Sequence, residues 1–275
     1  MKRGKVIVIG NEKGGTGKST LAMHLIVWFL HRRKMVASVD LDGRQGTLTH
    51  YIQNRADYAD HCGVPLDLPE HVCVAARENP TPDQRARDEA DFSGLIEKLR
   101  GENDLIVIDT AGADSYLFRL AHAEADILIT PLNDSLIDLD VLAKIDPEKL
   151  TVKAPGHYAQ NVWQARQKRA AKKMPPLRWF VLRNRLMHVS THNEKLIWKL
   201  LEALGKRIDF APLSGLGERI VFRELFLKGL TLWDVGAGKS GGAMSMTHVA
   251  ARQELRAILQ AIGEDAGDDG AKNEN

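Results

Sequence analysis

The stretch NEKGGTGKST, residues 11–20, places Lys13 and Lys18 on either side of a run of glycines, and that arrangement suits phosphate chemistry. Glycines let successive backbone N–H groups turn toward one centre, where phosphate oxygens can accept from them. The preceding KVIVIG reads as a buried strand and the following LAMHLIVWFL as a helix, so the positive end of that helix adds to the cradle. Gly14, Gly15, Thr16, Gly17, Lys18, Ser19 and Thr20 are therefore the candidate nucleotide-binding residues. Lys18 is placed to reach the β- and γ-phosphates and Ser19 to ligate Mg²⁺. The common pattern G-x-x-x-x-G-K-[ST] would put glycine at position 12, where this chain has Glu12 beside an additional lysine, Lys13.

Two further loops offer the carboxylates such a site needs. LIVIDTAG ends an apolar run in Asp109, suited to holding the Mg²⁺ shell, and Thr110 to Gly112 can then sense the γ-phosphate, with the Gly112 N–H as the sensor. DLDGRQGT supplies Asp40 and Asp42, both near the carboxyl end of another strand. Chemistry alone does not choose between them for metal binding or for orienting water. Asn184, in VLRNRL, carries an amide that can donate to and accept from an adenine edge; capping of the next segment is the competing role.

These residues need a frame that brings their loops together. Continuous apolar runs at residues 5–10, 35–40, 104–109, 126–131 and 179–184 predict strands covered on both faces. Helical spacing at residues 19–33, 83–100, 134–145 and 193–204 alternates with them, which predicts βαβ units and an α/β, doubly wound, mostly parallel sheet in three α/β/α layers. Residues 57–82 and 147–176 read as insertions, the second with a basic helix ending at Pro-Pro. Residues 1–263 are expected to form one domain, and 264–275, without large apolar residues, a disordered acidic tail.

The 275 residues, 44% hydrophobic and 27% charged, suffice for a substantial core. A net charge of +2 neither demands nor excludes a nucleic-acid partner. The apolar run at residues 6–9 is too short for a signal peptide and LIVWFL, residues 25–30, too short to span a bilayer. With only Cys62 and Cys73, a cytoplasmic chain without membrane insertion is expected. The pair His188 and His192, and the group His61, Cys62, His71 and Cys73, lack a recognised zinc spacing.

The run K-G-G-T-G-K-S resembles the hallmark of the deviant Walker A ATPases, the ParA/MinD group of P-loop NTPases. The resemblance implies that Lys13 reaches the nucleotide of a partner subunit, that Asp42 orients the attacking water with Asp40 near the metal, and that Asn184 contacts adenine. Longer stretches, among them PLNDSLIDLDVL, VWQARQKRA, RIVFRELFLKGLTLWDV and HVAARQELRAIL, resemble the MipZ division-plane positioning ATPases in order along nearly the whole chain. That implies ATP and Mg²⁺ as cofactors, a homodimer in the ATP state, slow dimer-dependent hydrolysis, non-specific DNA and ParB as partners, inhibition of FtsZ polymerisation, and a nucleoid-associated location. The DNA surface is expected around Lys195, Lys199, Arg219 and Arg223, where the helix carries only the two lysines; the basic run Arg166, Lys168, Arg169, Lys172 and Lys173 is the alternative. Switch II reads Asp-Thr-Ala-Gly where the group has Asp-Thr-Pro-Gly. A ParA-type partitioning ATPase shares every nucleotide residue named. The acidic tail argues against a MinD-like membrane helix, and the lack of cysteine at residues 110–126 against an iron-sulfur reductase.

Overall fold

Short apolar strands closed by polar residues set the architecture, seen in a computed structural model that describes residues 3–146, 151–186, 192–236 and 244–263. The strands are β1 (Lys5–Ile9), β2 (Val36–Asp40), β3 (Glu70–Cys73), β4 (Leu105–Asp109), β5 (Ile127–Asn133), β6 (Ala143–Ile145), β7 (Val152–Pro155), β8 (Arg178–Asn184) and β9 (Ala211–Leu213). The helices are α1 (Lys18–His31), α2 (Thr47–Cys62), α3 (Pro82–Glu102), α4 (Tyr116–Glu124), α5 (Leu136–Leu139), α6 (His157–Ala171), α7 (His192–Ile208), α8 (Val221–Leu227) and α9 (Met246–Ala261). Seven strands form one sheet in the order β3-β2-β4-β1-β5-β8-β9, and each pairing within it is parallel.

Alternation along β1 divides the core in two. Ile7 and Ile9 pack with α1, α2, α8 and α9 on one face, whereas Val6 and Val8 pack with α3, α4, α6 and α7 on the other. This is the expected three-layer P-loop NTPase fold. The register aligns Ile9 and Asp40 with Asp109, so β1, β2 and β4 end at one level and their following loops converge. β1 lies at the centre, between β4 and β5, where a doubly wound sheet opens its ligand crevice.

Several expectations need correction. Residues 134–145 do not form one helix: after the single turn of α5 the chain becomes β6, paired antiparallel with β7. The apolar spacing of LIDLDVLAKI fits a short strand as well as a helix turn, and cross-strand pairing decides it. The region 57–82 is not an insertion, because α2 runs into it and β3 extends the main sheet. At the sheet edge, with the partly exposed sequence EHVC, β3 shows no continuous apolar run. The region 147–176 is likewise not a decoration, because Tyr158, Val162 and Ala165 of α6 pack into the core. Its basic residues are largely consumed internally. Arg169 is buried and donates to Asp126, Ala123 O and Pro175 O; Arg166 binds Ile208 O and Asp209; Lys172 lies 3.4 Å from Glu124. The tail at 264–275 and His188 lie outside the described residues.

One buried ion pair fastens α2 to the segment between α8 and α9. Arg55 gives two parallel hydrogen bonds to Asp234, at 2.8 and 2.9 Å, and its remaining donors reach Asp67 O and Gly229 O. Asp234 also accepts from the Thr231 N–H and hydroxyl. Burial disfavours its charge, but hydrogen bonds from His31 and Arg55, the Arg55 charge and the Thr231 N–H outweigh burial and hold the carboxyl well below the ordinary carboxylate range. A depressed folded value means that this contribution to stability is fully present above the unfolded carboxylate pKa of about 4 and is lost as pH falls toward the folded value. Arg55→Leu, which leaves the carboxylate buried and uncompensated, is expected to cost about 3–5 kcal/mol in urea unfolding at neutral pH. It should also flatten the acid loss of stability below about pH 4; unchanged stability and an unchanged acid limb would refute this role.

Candidate nucleotide site

The loop after β1 turns into α1 through Gly17, whose φ of 85° is in the left-handed region that glycine tolerates. A side chain there would also strike the Asn184 amide at 2.3 Å. Gly14 and Gly15 border open space, with nothing within 4 Å of where a Cβ would stand. They face a cavity of about 660 Å³ lined by residues 14–20, by Asp42, Arg44, Gln45 and Thr47, by residues 110–113 and by Arg185. The three predicted loops therefore form one concave surface at the carboxyl ends of β1, β2 and β4. Arg44, Gln45, Thr47 and Arg185 were not singled out in the sequence. Arg185 directly follows the predicted Asn184, which was a usable signal.

The charged groups have distinct settings. Lys18 is buried and donates to Lys13 O at 2.9 Å, so the loop folds back over its own lysine. Burial lowers the Lys18 pKa, while the Asp109 and Asp42 charges oppose that shift. Asp109 is buried at the end of β4; the Ser19 hydroxyl bonds its carboxylate, and Oδ1 has no partner among the described residues. Burial pushes this carboxyl up to about 7, with the Ser19 bond and Lys18 opposing the shift and the Asp40 and Asp42 charges adding to it. A carboxylate that keeps one oxygen orphaned while Ser19, on the cavity wall, bonds the group fits a divalent cation, because a cation would satisfy the free oxygen and neutralise the charge together.

Asp40, expected near the metal, has both carboxylate oxygens engaged within the protein. Its Oδ1 accepts from the Asp42 N–H, and its Oδ2 accepts from both the N–H and the hydroxyl of Thr49. Asp40 thus holds the Asp42 loop against the start of α2. Asp42 lies on the cavity wall, and its Oδ1 takes the Gln45 N–H at 3.2 Å. In switch II the Thr110 hydroxyl bonds Ile9 O, and a Cβ on Gly112 would meet the Gly14 Cα and N at 2.9 Å, so switch II touches the phosphate loop directly.

Lys13 is turned away from this cavity. Its ammonium donates to Asp138 at 2.6 Å and to Ile137 O at 2.9 Å, both on α5. Its N–H is fixed by Asn11, which is itself tied to Pro131 O. Glu12, in the place of the absent glycine, accepts from Asn161 at 2.7 Å and lies 3.2 Å from His157, joining the loop to α6. Asn11, Glu12 and Asp138 have structural roles that no sequence motif announced. Beneath Gly10 a buried network runs from Trp179 to Thr130, Tyr158 and His122, and the Tyr158 hydroxyl donates to Gly10 O. Burial pushes His122 down to about 4, which keeps this support uncharged.

Asn184 ends β8 and donates to Thr16 O at 2.6 Å, so it braces the loop as well as lining an apolar cavity of about 430 Å³ that continues from Gly17 and Thr20 past Leu216 and Phe222. On the expected DNA face, Lys195 and Lys199 are exposed on α7. Arg223 is exposed near Glu218, but Arg219 is partly buried and held in a two-pronged pair with Glu254 at 2.6 and 2.7 Å. His71 uses both ring nitrogens on Ser38 and Thr49, and the two cysteines are free.

The sequence matches the family model for ATPase MipZ over residues 5–265. The chain belongs to the MipZ ATPase family. It is 31% identical over 153 residues to the chromosome-partitioning ATPase Soj of Thermus thermophilus, which covers 52% of this chain and 61% of that protein. It is 29% identical over 164 residues to the septum site-determining protein MinD of Synechocystis, which covers 53% of this chain and again 61% of the relative. The matches thus span about three-fifths of these curated relatives. Among solved structures, the ATP complex of a Cyanothece McdA variant superimposes with a TM-score of 0.64 at 13% identity, covering 96% of this chain and 98% of that one. Pyrococcus horikoshii MinD with Mg-ADP gives 0.55 at 17% identity, covering 95% and 98%. These likenesses establish the fold of this MipZ family member as that of the ParA/MinD ATPases.

The unpaired Asp109 carboxyl makes a stability prediction. Because its folded pKa is raised, the nucleotide-free protein loses stability as pH rises from about 4 through about 7, as an uncompensated charge develops. Asp109→Asn should therefore stabilise the nucleotide-free protein at pH 8 by on the order of 1–3 kcal/mol while removing the extra thermal stabilisation that Mg²⁺ adds to nucleotide. A variant that melts below the parent without ligand, or keeps the full Mg²⁺ effect, would contradict this account.

Proposed function

We propose that this chain is an ATP-dependent dimerising switch that positions the division plane by inhibiting FtsZ polymerisation, coupled to ParB and to non-specific DNA. One observation carries the reading: Lys18 serves the local phosphate cavity, whereas Lys13, in the same loop, does not line that cavity and holds its ammonium on α5. A cation retained at the mouth of the loop but turned from its own cradle is suited to a second subunit's phosphates. Delivery in trans makes charge stabilisation during phosphoryl transfer depend on dimerisation.

Each part of the site has its own role. Backbone N–H groups of residues 14–19 and the Lys18 ammonium bind the phosphates. Mg²⁺, when bound, neutralises phosphate charge, and Ser19 and Asp109 are the residues that would hold it. Asp42, on the cavity wall, orients the attacking water, with Asp40 fixing its loop. Gly112, packed on Gly14, transmits γ-phosphate occupancy to switch II. The apolar cavity beside Asn184 takes the base. Hydrolysis removes the γ-phosphate and with it the bias toward the dimer. Lys195, Lys199 and Arg223 supply exposed cations for phosphate contacts of no sequence preference, whereas Arg219 would first have to leave Glu254.

Lys13→Ala should retain Mg-ATP binding and lose ATP-dependent dimerisation in sedimentation velocity; a variant that still dimerises would sink the trans-lysine assignment. Asp138→Asn, which releases Lys13 from its resting partner, should lower the ATP concentration for half-dimerisation by about three- to fivefold, as expected for a partly exposed ion pair. Asp42→Ala should hold ATP as a trapped dimer, and hydrolysis at the parental rate would show that Asp42 has another role. Added to polymerising FtsZ and, separately, to non-specific DNA, the trapped dimer should suppress the first and bind the second. DNA retention without any effect on FtsZ would favour a ParA-type partitioning ATPase.

A further inference from the structure

The end of α1 remote from the phosphate loop borders a second, chemically distinct concavity. It has a volume of about 240 Å³ and is walled by Trp28 and Trp233 together with His31, Arg32, Arg252 and Arg256. The two indoles are tilted against each other with centroids 4.4 Å apart, and the Arg32 guanidinium lies over the Trp28 ring, 3.2 Å from its centroid. Its described lining contains three arginines and no carboxylate. The nearest acid in sequence, Asp234, is directed to Arg55 and His31 on the neighbouring side.

We propose that this cavity is a second anion site, which takes a small phosphorylated ligand between Arg252 and Arg256 and against the Trp28–Trp233 pair. Arg252 is held in place by the chain around it. Its Nε donates to Leu232 O at 2.6 Å, one terminal nitrogen donates to Val235 O, and the other lies 3.1 Å from the Met244 sulfur. Arg256 is exposed and has no hydrogen-bond or ion-pair partner among the described residues. The indole N–H of Trp28, a residue 4% exposed, is buried without an acceptor among the described residues. A group with several acceptor oxygens and more than one negative charge answers the two arginine features, and guanidinium forks match phosphate geometry. Burial, followed by the neighbouring Arg256 charge, pushes Arg252 below the ordinary arginine range, with Asp234 opposing the shift. Two like charges held together in this way are relieved by an anion.

The small concavity, about 240 Å³ and bordered by a compact group of residues, matches a diphosphate-sized group better than a long polymer backbone. The site shares no lining residue with the nucleotide cavity. It lies about 20 Å away, the length of a 14-residue helix.

The test uses inorganic pyrophosphate as the probe and full-length protein saturated with Mg-ADP, so that the phosphate loop is filled, with free Mg²⁺ held constant. Binding should produce a saturable change in tryptophan emission, since two of the five tryptophans line the site. Arg256→Ala, at an exposed position without internal partners, should keep the parental circular dichroism and Mg-ADP affinity yet weaken pyrophosphate by about tenfold, the loss of one charge-assisted contact. Arg256→Lys should recover part of that loss. Absence of a saturable change, or an Arg256→Ala affinity equal to the parent's, would overturn the site. Displacement of pyrophosphate by duplex DNA at equal phosphate concentration would overturn its assignment to a small ligand. Each outcome leaves the function assigned to the phosphate loop untouched.

Discussion

Three strands that end level with one another are the constraint on which the site depends. Because Ile9, Asp40 and Asp109 share a register row, the phosphate loop, the Asp42 loop and switch II leave the sheet at the same height and meet. A slip of one residue in any of these strands would reverse its side chains between the two cores and would also withdraw its loop from the cavity. The hydrophobic alternation that builds the core therefore also sets the geometry of the cavity. Polar residues reinforce the alignment where the strands end: Asp40 clamps the Asp42 loop, the Thr110 hydroxyl binds Ile9 O, and Tyr158 holds Gly10 from below.

The site so aligned is electrostatically incomplete. Lys18 is desolvated, Asp109 is buried with an orphaned oxygen, and the Asp40 and Asp42 charges disfavour ionisation of Asp109. Such a cluster opposes folding in isolation, and a phosphate and a cation binding together would compensate it. The surrounding fold carries that cost through features remote from the site, including two hydrophobic layers and the fully hydrogen-bonded Arg55–Asp234 pair. Lys13 stands outside this arrangement, held by Asp138 on α5, a short turn that follows β5, the neighbour of the central strand β1. Its resting contact and its proposed use in a partner's site compete for the same ammonium.

Legibility in the sequence followed the physics of each element. Central strands covered on both faces announced themselves as continuous apolar runs, and the glycine-rich loop with its two lysines carried its chemistry in its spacing. The edge strand EHVC did not, since an edge residue need not be apolar, and LIDLDVLAKI satisfied helix and strand periodicity equally. Charge was the least legible property. Arg166, Arg169 and Arg219 read as surface cations, yet each is held by acceptors distant in sequence, Asp209, Asp126 and Glu254. The same holds for Asp138 and Asn161, whose partners in the phosphate loop lie more than a hundred residues away. Types and spacing therefore nominated the residues that line one cavity, while the contacts that restrain them required the fold.

Complementation between two inactive variants tests the central claim, that Lys13 serves the partner's phosphates, most directly. Lys13→Ala keeps its own Lys18, and Lys18→Ala keeps its Lys13, so a mixed dimer contains one site with both lysines only if Lys13 acts across the interface. ATP hydrolysis by the equimolar mixture should rise well above that of either variant alone, to at most about half of the parental rate, since each mixed dimer has one complete site of two. A mixture no more active than either variant alone would show that both lysines act within one subunit, and the trans assignment would be wrong.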